Sequence, residues 1–385
     1  MDKSKTYMIF FIVVFSVNLI VNFYIFFRTK ALFPESTAAW WITTILFWLL
    51  AFAYVIGRIT ERNGSELIAE GFIKSGSIWL GAMVYLTLLF LLADILRGLN
   101  SLFHFTDYLG FNWNDSKGKV TIWLVYGVTA AILLVGFINA KSPVVKKISV
   151  NVGKQVPDGV IKVVLASDLH LGMMNSTNSL KKMVSLINNQ NADLILLGGD
   201  VFDEDLGPVI RNNLGDLLKN LKAKHGVYAV LGNHEFYGNA AEAQKYLTDH
   251  HVTVLRDSIT VLENGITIIG REDLTAERMY GRKRKSLEQL LDGTNTSNII
   301  LMLDHQPYHV AEVAESPVDL QVSGHTHNGQ MWPFNYITSA IFDISEGYRK
   351  INGTHFYVSS GYGTWGPPIR TNSRSEIIVI EISGN

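Results

Sequence analysis

The chain has 385 residues, 48% of them hydrophobic and 17% charged, with a formal net charge of -1 and no cysteine. That length exceeds one ordinary domain, and the near-neutral charge argues against a dedicated nucleic-acid binder. The missing cysteines exclude disulfides, thiolate zinc sites and cysteine nucleophiles.

Apolar runs dominate before residue 140, and nearly all histidines follow it. Four stretches, 7–27, 38–56, 75–96 and 120–138, have the roughly 20 mostly apolar residues that a bilayer crossing needs. The first exceeds the roughly 7–15 apolar residues of a cleaved signal, so it reads as a retained anchor. Trp40, Trp41, Trp79 and Trp123 sit near the predicted ends, where amphipathic rings prefer the interface. Lys3, Lys5, Arg58, Arg62, Lys74, Lys141, Lys146 and Lys147 fall on one side, against Arg28, Lys30, Arg97, Lys117 and Lys119 on the other. The positive-inside rule then expects a multipass protein of the cell membrane with its following domain in the cytoplasm. Asp94 is the acid inside a span; pairing with Arg97, one turn on, is expected over an ion path.

Beyond a juxtamembrane connection at 141–158, the pattern changes to short β-branched runs between amphipathic segments. Strands are expected over 160–167, 192–198, 226–232, 298–303 and 319–324. Helical spacing marks 179–189, 208–221 and 240–248; in the second, Ile210, Leu214, Leu217, Leu218 and Leu221 form one stripe. Residues 258–270 read as a hairpin whose Asn264-Gly265 pair suits a type I′ turn. The expectation is a four-helix, all-α membrane part over 1–140 and an α/β domain over 159–385.

Each of the five strands runs into polar residues. After them stand Asp168-Leu169-His170, Gly199-Asp200, Asn233-His234-Glu235, Asp304-His305 and Gly324-His325-Thr326-His327. Open α/β sheets bind ligands at that end. Asp168 with His170, and His325 with His327, are two residues apart and share a side in extended backbone. Any one of these alone reads as a helix cap, a turn or a core histidine; five in a row read as a metal cradle. Carboxylate, imidazole and amide donors without thiolate suit Mn, Fe, Zn or a similar ion. Seven ligand candidates exceed one tetrahedral ion and suit two sharing a carboxylate, an arrangement used for phosphoryl transfer.

These blocks, D-x-H, G-D, G-N-H-[DE], a lone His and G-H-x-H in that order, resemble the calcineurin-like metallophosphoesterase superfamily over roughly residues 160–382. The resemblance implies a two-layer β-sandwich flanked by helices. It also implies one ion on Asp168, His170 and His327, another on Asn233, His305 and His325, and Asp200 between them. His234 would then stabilise charge and protonate the leaving group. "GHTHNGQ" and "SSGYGTWGPPIR" look like the bacterial membrane-associated branch, some of whose members hydrolyse phospholipid-like pyrophosphates. Asn328 replaces a glycine usual there, and asparagine tolerates the left-handed turn.

Arg271 and Arg370 are candidate phosphate clamps, each equally suited to an ordinary salt bridge. Residues 281–285, "GRKRK", read as a solvated loop, with anionic lipid the sharper alternative. The expected function is hydrolysis of a phosphate ester or pyrophosphate using two divalent ions, with membrane lipids as partners and a lipid-linked substrate as the sharper form. The rival is an inactive scaffold or regulator on a transport-type membrane domain. It would be expected to lack ligands, and none is missing.

Overall fold

A computed structural model of the chain describes residues 3–33, 36–63, 66–104, 118–156, 159–175 and 177–384. Lys117, used above for orientation, lies outside them. The chain divides into two units, Met1–Val135 with Gly366–Pro368, and Gly136–Trp365 with Ile369–Asn385.

The first unit is helical: α1 (Lys3–Thr29), α2 (Thr37–Ala51), α3 (Ala53–Asn63), α4 (Glu66–Phe103) and α5 (Lys119–Lys141), of which α5 continues into the second unit. Ile12–Leu32, Leu67–Phe103 and Lys119–Lys141 are long and apolar enough to cross a membrane. The second expected span is not one straight helix. α2 and α3 meet at a 57° bend, which makes that pair a broken span or a re-entrant loop. The cause lies in packing, since no proline interrupts the run. A Cβ on Gly76 of α4 would fall 2.1 Å from the Tyr54 nitrogen, and one on Gly57 of α3 2.7 Å from Ile73. Small residues let α3 lie directly on the α4 backbone, the usual membrane-helix contact.

Ile25, Ala51, Leu86, Phe90 and Val125 form this unit's core, while Ile20, Ile45 and Leu134 face outward. Trp79 is not an interfacial ring as expected. It is buried, and its indole N–H donates to Asn22 Oδ1 at 2.9 Å. Asp94 does pair, but chiefly across helices. Its carboxylate meets Arg28 of α1 and accepts from the Tyr24 hydroxyl at 2.6 Å, with Arg97 3.9 Å away.

The second unit is built on two six-stranded sheets. The first has the order β1 (Val144–Asn151), β12 (Glu376–Ser383), β2 (Val160–Ala166), β3 (Leu194–Leu197), β4 (Val227–Ala229), β5 (Thr253–Val254). The second runs β10 (Gly347–Ile351), β11 (Thr354–Val358), β9 (Leu320–Ser323), β8 (Ile300–Leu303), β7 (Thr267–Gly270), β6 (Ser258–Val261). Val163, Leu165, Leu196 and Ile380 of one sheet and Leu301, Leu303 and Val322 of the other share the core between them. Outside, Leu180, Met183 and Ile187 of the helix Thr177–Asn188 cluster with Val164 and Ile195. Leu290 and Val313 cluster with Ile300 and Met302 on the far face. Strands buried on both faces read as continuous apolar runs, as β3 and β8 do. The sandwich flanked by helices is the fold the motifs implied.

Three local expectations change. The connection at 141–158 contains β1, which pairs in parallel with β12 from Val144↔Glu376 to Asn151↔Ser383. Lys146, counted above for orientation, meets the buried Glu376 carboxylate at 2.6 Å. The helix at 208–221 breaks into Gly207–Arg211 and Leu214–Leu218 at Asn213, whose φ is +49°; Ile210 is left exposed. In the hairpin only Gly265 has positive φ, at +84°. Gly265 N–H bonds to Leu262 O and Leu262 N–H to Ile266 O, so the loop has three residues and closes on a glycine bulge instead of a type I′ pair.

Candidate metal centre

β2, β3, β4, β8 and β9 all end at one edge of the sandwich, and the polar residues after them converge there. The His170 and His327 Nε2 atoms lie 3.0 Å apart, and Asp168 Oδ1 is 3.4 Å from His327 Nε2. Asp200 Oδ2 stands 3.9 Å from His170 Nε2 and 3.1 Å from His305 Nε2. Asn233 Oδ1 is 3.2 Å from His305 Nε2 and 2.7 Å from His325 Nδ1. All seven expected ligand positions are thus together. Asp168, His170 and His327 form one group that could hold an ion; Asp200, His305 and His325 form another.

The backbone is held in a costly shape to achieve this. Asp168, His170, Asp200, His325 and His327 have φ of +55°, +44°, +48°, +70° and +48°. Non-glycine residues there cost on the order of 1–3 kcal/mol each, and such strain gathers at functional sites. Loop-to-loop hydrogen bonds oppose it: Asp168 N–H to Gly199 O and His170 N–H to Asp200 O, both at 3.0 Å. Asn328 takes φ +49°, so the turn accepts it in place of glycine.

The donors fit divalent ions. Asp168 Oδ2 is buried with no hydrogen-bond partner. A Cβ on Gly324 would fall 2.2 Å from that oxygen, and one on Gly232 2.2 Å from Asp200 Oδ1. Both glycines keep open the space a ligand shell needs. His305 Nδ1–H donates to the Gly198 carbonyl at 2.8 Å, which turns Nε2 toward Asp200.

A profile of the calcineurin-like phosphoesterase family matches residues 161–329. An uncharacterized metallophosphoesterase of Campylobacter jejuni is 30% identical over 277 residues, 70% of this chain and 73% of that one. The chain belongs to the calcineurin-like metallophosphoesterase family. A Helicobacter pylori metallophosphoesterase is 33% identical over 231 residues, covering 58% of this chain and 60% of its own length. A Danio rerio "transmembrane protein with metallophosphoesterase domain" is 30% identical over 266 residues, 65% of this chain and 60% of that one.

The metallophosphoesterase site is electrostatically sorted in the metal-free chain. Burial alone would raise Asp200, but the His305, His234 and His170 imidazoles hold it well below the usual carboxylate range. Burial raises Asp168. Burial and neighbouring His305 lower His325 to about 3, and burial with His170 and Arg370 takes His327 well down. These two stay neutral, the form that binds metal. His234 goes the other way. Against burial, Asp200 and Asp203 raise it to about 9.

Several contributors were not singled out from sequence. Asp203 Oδ1 lies 3.4 Å from His234 Nδ1 and 3.7 Å from His170 Nδ1. Its only sequence signal is the acid-rich run "GGDVFDED". The buried Glu235 carboxylate accepts the N–H groups of Asp200 (3.1 Å), Phe202 (2.9 Å) and Gly232 (2.7 Å), tying two ligand loops together. Arg284 of the supposedly solvated 281–285 loop instead pairs with Asp304 at 3.0 Å, beside His305. Neither clamp candidate lies on an open face. Arg370 is fully buried, donates to Ser360 O and Gly363 O, and sits 3.2 Å from His327 Nδ1. Arg271 is buried and donates to Lys285 O at 3.1 Å. The Arg370 guanidinium suits bracing the loops better than reaching a phosphate.

Proposed function

We propose that this metallophosphoesterase uses two divalent ions, manganese, iron, zinc or similar, to hydrolyse a phosphate ester or pyrophosphate borne on a membrane lipid. The observation that supports it best is the meeting of two ligand groups through Asp200, with His234 at their edge. Asp168, His170 and His327 would hold one ion and Asn233, His305 and His325 the other, with Asp200 shared. When bound, such ions acidify a water and neutralise charge on phosphate oxygens.

The chain's own residues supply the rest. His234 would present a proton to the leaving oxygen, with the Asp203 carboxylate 3.4 Å from its Nδ1 to orient the ring. The Tyr237 and Trp365 rings meet that of His234 edge-on at 5.6 and 6.1 Å, which narrows the approach to it. A short chain connection supports the lipid reading. α5 ends at Lys141 and β1 starts at Val144, so only Ser142 and Pro143 separate a candidate span from the first strand of the catalytic unit. The basic-residue balance supports a multipass chain with the catalytic unit on the cytoplasmic side.

The full-length protein, reconstituted in vesicles with each metal in turn, should hydrolyse both a nitrophenyl phosphate and a lipid phosphate or pyrophosphate. No turnover of any phosphate ester with any of these ions would sink the enzyme reading. Turnover of the soluble ester alone would sink the lipid one.

A further inference from the structure

Eight residues after His327 comes the helix Asn335–Ile341, and none of its residues is buried. For a helix in a well-packed domain that is unusual, because its apolar side chains have nothing to cover. Tyr336, Ile337 and Ile341 are 66%, 55% and 56% exposed. Trp332 and Phe334 just before it, and Trp365 beside the cleft, are exposed too. Single exposed apolar residues need no explanation, but a cluster of large ones does.

Hydrogen bonds within the catalytic unit locate this strip. Gly136 and Asn139 lie in the last turns of α5, at the end of its apolar run. Gly136 O accepts the Arg370 N–H at 2.8 Å, and Asn139 Nδ2 donates to Arg370 O at 3.1 Å. The next residue, Thr371, donates its N–H to Gln330 O at 3.1 Å and accepts the Trp332 N–H on its hydroxyl at 2.9 Å. Gln330 in turn exchanges two hydrogen bonds with the Trp365 backbone. The approach is close by design: a Cβ on Gly136 would fall 3.0 Å from both Ile369 and Thr371 side chains. Trp332 and Trp365 are therefore only a few bonds from the end of a helix apolar enough to span. The headgroup layer is about 5–8 Å deep on each side, the scale on which these few hydrogen bonds tie the strip to the span's end.

We infer that residues 332–341, with Trp365, form an interfacial segment that inserts into the headgroup layer of the bilayer α5 crosses, and that this holds the metal cleft's mouth against lipid. The composition agrees, since Trp and Tyr favour that layer and isoleucines reach below it. The segment is also joined to the site at both ends. It begins from the loop of His325 and His327, and it ends at Phe342, whose ring lies 5.9 Å from that of His325. A phosphate on a lipid would enter the cleft without leaving the membrane. This last step rests on the function proposed above; the insertion does not.

The absence of cysteine makes the test direct. Single Ile337→Cys, Ile341→Cys and Val261→Cys variants of the full chain carry an environment-sensitive fluorophore in phosphatidylethanolamine–phosphatidylglycerol vesicles. Val261, 60% exposed on β6, is the water-facing control. Labels at 337 and 341 should be blue-shifted and quenched by chain-nitroxide lipids, and the label at 261 neither. Water-like emission at both sites overturns the inference. So does a blue shift that lipid nitroxides leave unquenched and that grows with protein concentration, because a second copy then covers the strip.

A kinetic arm separates this from the substrate question. The Ile337→Glu/Ile341→Glu variant should hydrolyse p-nitrophenyl phosphate like the parent, and lose about tenfold or more on phosphatidic acid in the same vesicles once insertion is lost. Equal rates on both substrates, despite lost quenching at the labelled sites, would show that insertion does not deliver substrate. If the parent hydrolyses no lipid phosphate while the labels still read lipid, the proposed substrate fails and the insertion stands.

Discussion

The helical unit and the phosphoesterase unit are written in different alphabets. Apolar length alone marks the helices, and many of their large side chains, Ile20, Ile45 and Leu134 among them, face outward. Lipid is as apolar as leucine, so facing outward costs nothing and little in the run says which side packs. In the phosphoesterase unit the apolar runs are short and those of the central strands, β3, β7, β8 and β9 among them, are buried, because these strands have sheet or helix on both faces. Its polar residues are then confined to strand ends, where they stand out. The lesson is that a site is easiest to read where the scaffold leaves little freedom around it.

Changing Asp200 should give the largest effect on the site. Asp200→Asn weakens a charge shared by both ligand groups, and should lower metal content below two ions per chain by elemental analysis. Turnover should fall beyond the roughly 10²–10⁴-fold expected of a lost general acid. His234→Ala sharpens the division between ligands and acid. Both ions should remain while turnover drops about 10²–10⁴-fold, and less for a nitrophenyl leaving group. An equal loss for good and poor leaving groups would remove the proton-donor role.

The contrast between the two units has its own stability test. Leu165→Ala, in the core between the sheets, should cost about 2–5 kcal/mol in denaturant unfolding. Leu134→Ala, 61% exposed on α5, should cost far less in the same detergent or vesicle. Comparable losses would mean that the outward face of α5 is packed against protein. Asp203→Asn should keep both ions and cost roughly 10–100-fold in turnover, the range for a residue that orients another. Its loss should largely vanish in the His234→Ala background if Asp203 acts through that ring. The smallest effect belongs to Arg28 and Asp94. A double-mutant cycle with Arg28→Met and Asp94→Asn should give a coupling of about 0.6–1.7 kcal/mol.

Much of the site was legible because its ligands occupy fixed places in strand-end motifs. Asp168, His170, Asn233, His305, His325 and His327 each follow a recognisable apolar run, and the structure brings all of them to one edge. Asp203 carries no motif of its own, and Glu235, Asp304 and Arg284 stand in quoted stretches that assign them no role. Their roles depend on partners from other loops, and single-residue periodicity carries no record of those. Arg370 misled for the same reason: a terminal arginine near a motif looks available until burial shows what it already holds.

By itself, the sequence determined which stretches are long and apolar enough to cross a membrane, where the central sandwich strands lie and which residue types meet at their ends. Hydropathy and alternation are properties of neighbours along the chain, and these outcomes need nothing more. Tertiary structure alone decided the bend between α2 and α3, the pairing of β1 with β12, the break at Asn213 and the left-handed backbone at five ligand positions. Each depends on close approach between segments far apart in sequence. Backbone contact at Gly76, a parallel partner more than 200 residues away, and hydrogen bonds between strand-end loops set these shapes, and no local pattern encodes such contacts.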